Sequence, residues 1–299
     1  MIYAITFGDD SFYNSAKLNL WTATHIGKAD AAKMYRPEDI DSAYREAHKD
    51  IFDQKRGAGY WLWKPYVILD ALESLQWNDY LMYMDAGVLY YSSVRPLAEQ
   101  LERDGQDIYF SAGFWRNEYW TKRDTYVLLD CDDESFYSAH RVAAGYMMIK
   151  KTPLAVEFIK IWKRYMEDAR LATDMPSCCG KPELPRFREH RHDESVLSLL
   201  IKQHGYHPYR SIDGRWEIKR FEHFFSNPQS FYGITGEECE EMYRSFMALP
   251  MNQAHYRRVV VNTNIHGRSG LGFWLRVARR VLQAWWWDHT PYKWRGAVK

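Results

Sequence analysis

Short apolar runs alternate along this chain with longer stretches whose apolar residues recur every three or four positions. "MIYAITFG" (1–8) is a continuous apolar run ending at Gly8 before two aspartates, the pattern of a strand buried on both faces. "YVILDALESL" (66–75) has helical spacing, with Pro65 in the first turn, where proline is tolerated. Residues 80–85, "DIYFSAG" (107–113) and "AAGYMMIKK" (143–151) predict further strands. Thr152-Pro153 opens an amphipathic helix to about residue 168. "HDESVLSLLIKQHG" (192–205) predicts a helix with an acidic first turn, an Asp193 or Ser195 cap and a Gly205 stop. Residues 28–50 are polar and mixed, and 172–190, rich in Pro, Gly and Cys, read as a loop. Strands alternating with helices predict an α/β domain with a mostly parallel central sheet flanked by helices.

Ligands of such sheets bind at the carboxyl ends of the strands. Gly8-Asp9 and Asp85-Ala86-Gly87 both fall there. A carboxylate closing an apolar strand is costly unless something pairs with it. Asp85 therefore either caps a turn or meets a ligand such as a cation-bound diphosphate, with two small residues behind it leaving room.

"KRGAGYWLWKPY" (55–66) gathers three cations, two glycines and four aromatics just before a helix. Glycines near a helix start, with a lysine close by, suit phosphate oxygens, although the spacing fits neither a P-loop nor a dinucleotide fingerprint. Core aromatics and a solvated lysine are the alternative. "NTNIHGRSG" (262–270) follows the strand-like run "RVVV" and places His266 beside Gly267 and Arg268, a metal or phosphate contact or a structural histidine.

The tail has Leu271, Trp274, Leu275, Ala278, Leu282 and Trp285 at helical spacing. Residues 271–299 also carry six Lys and Arg against a single Asp288. That suits an anionic membrane surface, or a helix docked on the domain.

Composition narrows these options. With 46% hydrophobic and 26% charged residues the chain is not disordered. A net charge of +1 gives no global electrostatic case for nucleic acid. Aromatics at 16% favour carbohydrate or nucleotide faces, membrane interfaces or a large core. The four cysteines contain no C-x-x-C, which disfavours a disulfide framework or zinc site and favours a reducing compartment. No basic leader opens the chain and no run of about 18 apolar residues occurs, so a cytoplasmic location is expected.

In order, the chain presents strand–Gly-Asp-Asp, Gly-aromatic-Lys before a helix, strand–Asp-Ala-Gly, Ala-Gly-Tyr-Met-Met-Ile, His-Asp-Glu-Ser at a helix start, and His-Gly-Arg-Ser-Gly. This series resembles the GT-A (Rossmann-like) glycosyltransferases, especially the retaining group around family 8. It is closer still to bacterial transferases of capsule, lipopolysaccharide and exopolysaccharide clusters. The resemblance is spread over 1–270 and is most specific over 56–91. It implies a nucleotide-sugar glycosyltransferase domain over 1–270 and a basic, Trp-rich amphipathic helical tail over 271–299.

By resemblance, Thr6, Phe7 and Asp9 hold the base, and Lys64 contacts the nucleotide or its phosphates. Asp85 with Ala86 and Gly87 stands at the D-x-D motif, and His266 with Gly267 and Arg268 at the late H-x-G element. Asp85 and His266 would then bind Mn²⁺ or Mg²⁺. Asp193 and Glu194 match D-Q-D and line the sugar and acceptor side, as the catalytic candidates. Gly87 departs from the motif, which has lost its second carboxylate. Either Asp85 and His266 bind the metal with water and phosphates, or the metal is dispensable and Lys64 or Arg268 supplies the positive charge. The expected reaction transfers a sugar, from a UDP-sugar by preference, to a surface-polysaccharide or lipid-linked acceptor with retention. The alternatives are a glycan- or nucleotide-binding protein on a degenerate transferase fold, and a sugar nucleotidyltransferase.

Overall fold

The computed structural model describes residues 1–210, 234–250, 259–262 and 270–289. Side chains alternate across a strand, so each residue's parity decides which layer it joins. In β3 (Tyr80–Met84), Leu81 and Tyr83 enter one buried cluster, while Met82 and Met84 enter another. In β1 (Ile2–Phe7), Ile5 and Phe7 face the first cluster, and Ile2 and Ala4 the second. Both strands are covered on two sides, as their unbroken apolar runs predict.

The other strands of the main sheet are β2 (Ala31–Tyr35), β5 (Ile108–Arg116), β6 (His140–Lys150) and β7 (Tyr209–Arg210). The order is β2-β1-β3-β6-β5-β7. β1 runs parallel to β2 and β3, β5 runs parallel to β7, and β6 alone opposes its neighbours β3 and β5. The sheet is thus mostly parallel. A separate antiparallel ribbon joins β4 (Val88–Tyr90) to β8 (Val260–Asn262).

The longer helices are α1 (Tyr13–His25), α2 (Trp63–Ser74), α3 (Arg95–Asp104), α4 (Pro153–Met166), α5 (Asp193–Gln203), α6 (Gly236–Ala248) and α7 (Leu271–His289). Val67 and Leu72 of α2, Phe158 and Trp162 of α4 and Leu199 of α5 cover one face of the sheet. Ala23 of α1 and Leu97 and Leu101 of α3 cover the other. Each large side chain so buried contributes roughly 1.5–3 kcal/mol of transfer free energy, which holds the three layers together.

The α4 start is as predicted: Thr152 Oγ1 accepts from Ala155 N at 3.1 Å, with Pro153 in the first turn. The α5 start is not. Neither Asp193 nor Ser195 caps it, and His192 holds the cap position without a side-chain bond. Ser195 Oγ instead donates to Trp120 O at 2.6 Å, and the Asp193 carboxylate turns to Lys64. The segment 28–50 also contains the strand β2. Its "AAKMY" is half-buried for four of five positions, so no hydrophobic alternation announces an edge strand.

Of the two readings of the tail, the structure bears out the docked helix, α7. It docks through Phe273 and Val277 onto Leu89, with Leu18 and Val281 packed alongside. The stripe read from the sequence faces outward: Leu271, Trp274, Leu275, Leu282 and Trp285 are all exposed. No helix among the described residues is long and apolar enough to cross a membrane.

Candidate active site

Three chain segments converge at the carboxyl ends of β1 and β3 around a cavity of about 480 Å³. The β1 end contributes Phe7, Asp9, Ser11 and Phe12. The turn ahead of α2 contributes Lys55, Gly57, Ala58, Trp61 and Trp63, and the turn after β3 contributes Asp85, Ala86, Gly87 and Val88. Each wall is fixed by local chemistry. Asp9 Oδ1 accepts from Phe12 N at 3.0 Å, closing the first turn. Asn19 Nδ2 reaches from α1 to Asp85 O at 3.3 Å and Val88 O at 2.7 Å, fastening the second. Phe7 and Trp63 stack at 3.9 Å with their planes 14° apart, giving the cavity a flat aromatic wall.

The turn before α2 is unusual. Gly57, Ala58, Gly59, Tyr60 and Trp61 have φ of 56, 52, 92, 48 and 59°, five left-handed residues in succession. Each non-glycine residue in that region costs roughly 1–2 kcal/mol. Its amide groups are consumed locally: Ala58 N donates to Lys55 O, Gly59 N to Gln54 O, Tyr60 N to Arg56 O and Trp61 N to Gly57 O. These amides are therefore not free to receive phosphate oxygens, as the glycine pattern had suggested. Gly59 serves packing, because a Cβ there would lie 2.8 Å from Phe52 Cα. The coil turns Trp61 and Ala58 into the cavity and leaves Lys55 exposed at its lip.

Beneath the floor lies a charged cluster. Lys64, on α2, is buried and donates to Asp193 Oδ2 at 2.5 Å and to Ala144 O at 3.3 Å. Its Nζ is 3.4 Å from Asp85 Oδ1, to which Tyr83 donates at 2.5 Å. Tyr83 and Asp85 are two residues apart and so share a face, the face that α2 covers. Burial alone would depress the Lys64 ammonium, but the Asp193 and Asp85 carboxylates outweigh it and the net shift is upward. Burial lifts the Asp193 carboxyl to about 6, against the pull of Lys64. The Tyr83 hydroxyl is raised well above its ordinary value by burial and by the Asp85 charge, so it remains a donor.

Asp193 is aimed by a strained joint. His192 sits at φ 51°, ψ −116°, outside the regions open to a side chain-bearing residue. Its buried ring is held by Nδ1, 3.0 Å from Ala172 O, and by stacking on Trp61 with centroids 5.4 Å apart. Burial lowers this histidine to about 4, so it is neutral near pH 7. Trp61 thus joins the cavity wall to the joint that directs Asp193 at Lys64.

The residues singled out in the sequence divide into four groups. Phe7, Asp9, Asp85, Ala86 and Gly87 line the cavity. Lys64 and Asp193 form an ion pair beneath it. Thr6 is fully buried in β1, and Glu194 is paired with Arg141. His266, Gly267 and Arg268 lie outside the described residues. Sequence reasoning missed Trp61, Trp63 and Lys55 as individual wall residues, although all three stand in the 55–66 cluster. The left-handed coil that orients them has no spacing signature.

A divalent cation is implied by the family resemblance. Among the described residues, no group of three His, Cys, Asp or Glu side chains is placed to enclose an ion. Asp85 offers a partly exposed carboxylate on the cavity floor. A hard cation that takes its other ligands from a diphosphate and water fits one such carboxylate; a self-contained protein cage does not.

No family model and no curated protein matches the chain. Among solved structures it is similar to the galactosyltransferase LgtC in complex with donor and acceptor sugar analogs, at 16% identity over 98% of this chain and 99% of that one, with a TM-score of 0.44. It is also similar to mouse xyloside xylosyltransferase 1 in its apo form, at 11% identity over 88% and 98% of the two chains, with a TM-score of 0.43. The glycosyltransferase GlyE of Streptococcus pneumoniae TIGR4 matches at 12% identity over 98% and 65%, with a TM-score of 0.41.

Proposed function

We propose that the chain is a glycosyltransferase that moves a sugar from a nucleotide donor, a UDP-sugar by preference, to a lipid-linked or surface-polysaccharide acceptor with retention. The observation that carries this reading is the Asp85 carboxylate at the end of β3, on the floor of a cavity walled by Phe7, Trp61 and Trp63. The aromatic wall suits a base or sugar face. Asp85 would hold the cation that bridges to the diphosphate, and Lys55 at the lip adds positive charge. His266, Gly267 and Arg268 are proposed to complete the phosphate end.

In the reaction the bond between the anomeric carbon and the leaving diphosphate oxygen breaks, and the acceptor hydroxyl oxygen bonds to that carbon. The acceptor proton passes to the departing phosphate. Positive charge near that oxygen lowers the barrier. Retention is favoured by the placement of the carboxylates. Asp193 is buried against Lys64 and Glu194 is paired with Arg141, so neither stands free as the base an inverting reaction needs. Lys64 and Asp193 are assigned to positioning Asp85.

Supplying UDP-, GDP- and dTDP-sugars with a glycolipid extract, with Mn²⁺ or EDTA, and measuring nucleoside diphosphate release tests this reading. One donor class is expected to turn over, faster with acceptor present and slower in EDTA. Release from none of them overturns it. Gly87, in place of a second carboxylate, favours one rival, a binding protein on a transferase fold. Tight nucleotide binding without turnover is its signature.

Gly145 gives a finer test. A Cβ there would lie 3.1 Å from Asp85 Oδ2, so Gly145→Ala pushes the carboxylate by a few tenths of an ångström. Displacing a positioning group this slightly is expected to weaken nucleotide binding about tenfold, with the unfolding midpoint little changed. Unaltered affinity would remove Asp85 from the binding site.

A further inference from the structure

Helix α7 has three faces, because 3.6 residues per turn sort its side chains into stripes. Phe273, Val277 and Ala284 are buried against the domain. Arg276, Arg279 and Arg280 are exposed on the flank. The third stripe is apolar and points into solvent: Leu271 is 75% exposed, Trp274 56%, Leu275 61% and Leu282 64%. Placed at 100° per residue, these four fall within an arc of roughly 120°. A helix docked by one apolar stripe while a second remains exposed has more apolar surface than the domain uses.

The stripe continues onto α1. A groove of about 510 Å³ runs between the two helices, lined by Lys17, Leu18 and Trp21 on one side and Phe273 and Trp274 on the other. Trp21 is 53% exposed. Both helices carry net positive charge, with Asp288 near the end of α7 as their single acidic residue. Residues 11–29 and 271–287 contain no Asp or Glu, while Lys17, Lys28 and the three arginines are exposed.

We propose that the joined faces of α1 and α7 dock onto an anionic phospholipid bilayer. The leucines would enter the acyl boundary, the tryptophans would sit at headgroup level, and the arginines and Lys17 would meet lipid phosphates. Charge complementarity selects this occupant, since a purely apolar protein partner gives the cationic flank nothing to do. Ser11 and Phe12 line the active-site cavity, and Lys17 lies within two turns of them on the docking face. Docking would therefore bring the cavity close to the lipid surface. Docking needs no nucleotide, so it stands or falls separately from the proposed reaction.

Co-sedimentation of the full chain with phosphatidylcholine vesicles, with and without phosphatidylglycerol, tests it. Binding is expected only with the anionic lipid, weakening as salt is raised. The Leu275→Glu/Leu282→Glu pair and the Arg276→Gln/Arg279→Gln/Arg280→Gln triple are each expected to weaken it at least tenfold. All five positions are exposed, and an unchanged melting temperature confirms that both variants fold. Equal binding to neutral vesicles, no binding, or wild-type binding by both variants overturns the proposal. So does a dimer in solution that the leucine pair abolishes while vesicle binding is absent.

Discussion

Lys64→Met is expected to destabilise the chain by about 3–5 kcal/mol near neutral pH, the usual cost of removing one partner of a buried ion pair. Lys64 is buried between Asp193, at 2.5 Å, and Asp85, at 3.4 Å. Methionine fills much of its volume and leaves the buried Asp193 carboxylate unpaired, so loss of charge dominates over loss of packing. The pH dependence separates the two. The Asp193 carboxyl titrates near 6 in the folded chain against an ordinary 3.8, so the folded state holds its proton more tightly. That contribution to stability is fully present below about pH 4 and is lost as pH rises through about 6, amounting to roughly 3 kcal/mol. Protonated Asp193 needs Lys64 less. Denaturant midpoints should therefore show a smaller loss for Lys64→Met at pH 5 than at pH 7, and adding Asp193→Asn should recover part of the loss at pH 7. An equal loss at both pH values would show that packing, not charge, is what Lys64 supplies.

Asp85→Asn is expected to do the opposite, sparing the fold and removing function. The Asp85 side chain is partly exposed at the cavity floor, and an amide oxygen can still accept from Tyr83. What disappears is the negative charge proposed to hold the cation and, through it, the diphosphate. Removing a single preorganised electrostatic group costs about 10²–10³ in rate, so kcat/KM should fall by that order with the melting temperature nearly unchanged. A variant within threefold of wild type would mean that the pocket works without Asp85.

Most of the fold is readable from periodicity. β1 and β3 are continuous apolar runs because helices cover both faces, and α4 announces itself through Thr152-Pro153. The failures have physical causes. β2 carries no hydrophobic alternation because four of its five residues are half-buried at the sheet edge. Asp193 does not cap α5 as its sequence position predicts, because its carboxylate meets a stronger demand, the Lys64 ammonium, than the helix end makes. Asp85 and the cluster at 55–66, which line the cavity, both stand out in the sequence. Their relation does not: no spacing reveals that residues 57–61 coil left-handed, or that Trp61 stacks on His192 behind Asp193. The tail stripe is visible in the sequence, but which apolar stripe docks depends on Leu18 and Leu89, far away in the chain.

Titrating the chain with UDP in the presence of Mn²⁺, while following thermal stability, tests the central claim most directly. Saturating UDP at about a hundredfold over its dissociation constant should stabilise the wild type by roughly 2.7 kcal/mol. Trp61→Ala and Asp85→Asn should each need at least tenfold more UDP for the same effect. No stabilisation by UDP, GDP or dTDP, or stabilisation that neither substitution alters, would contradict a nucleotide site between Trp61 and Asp85.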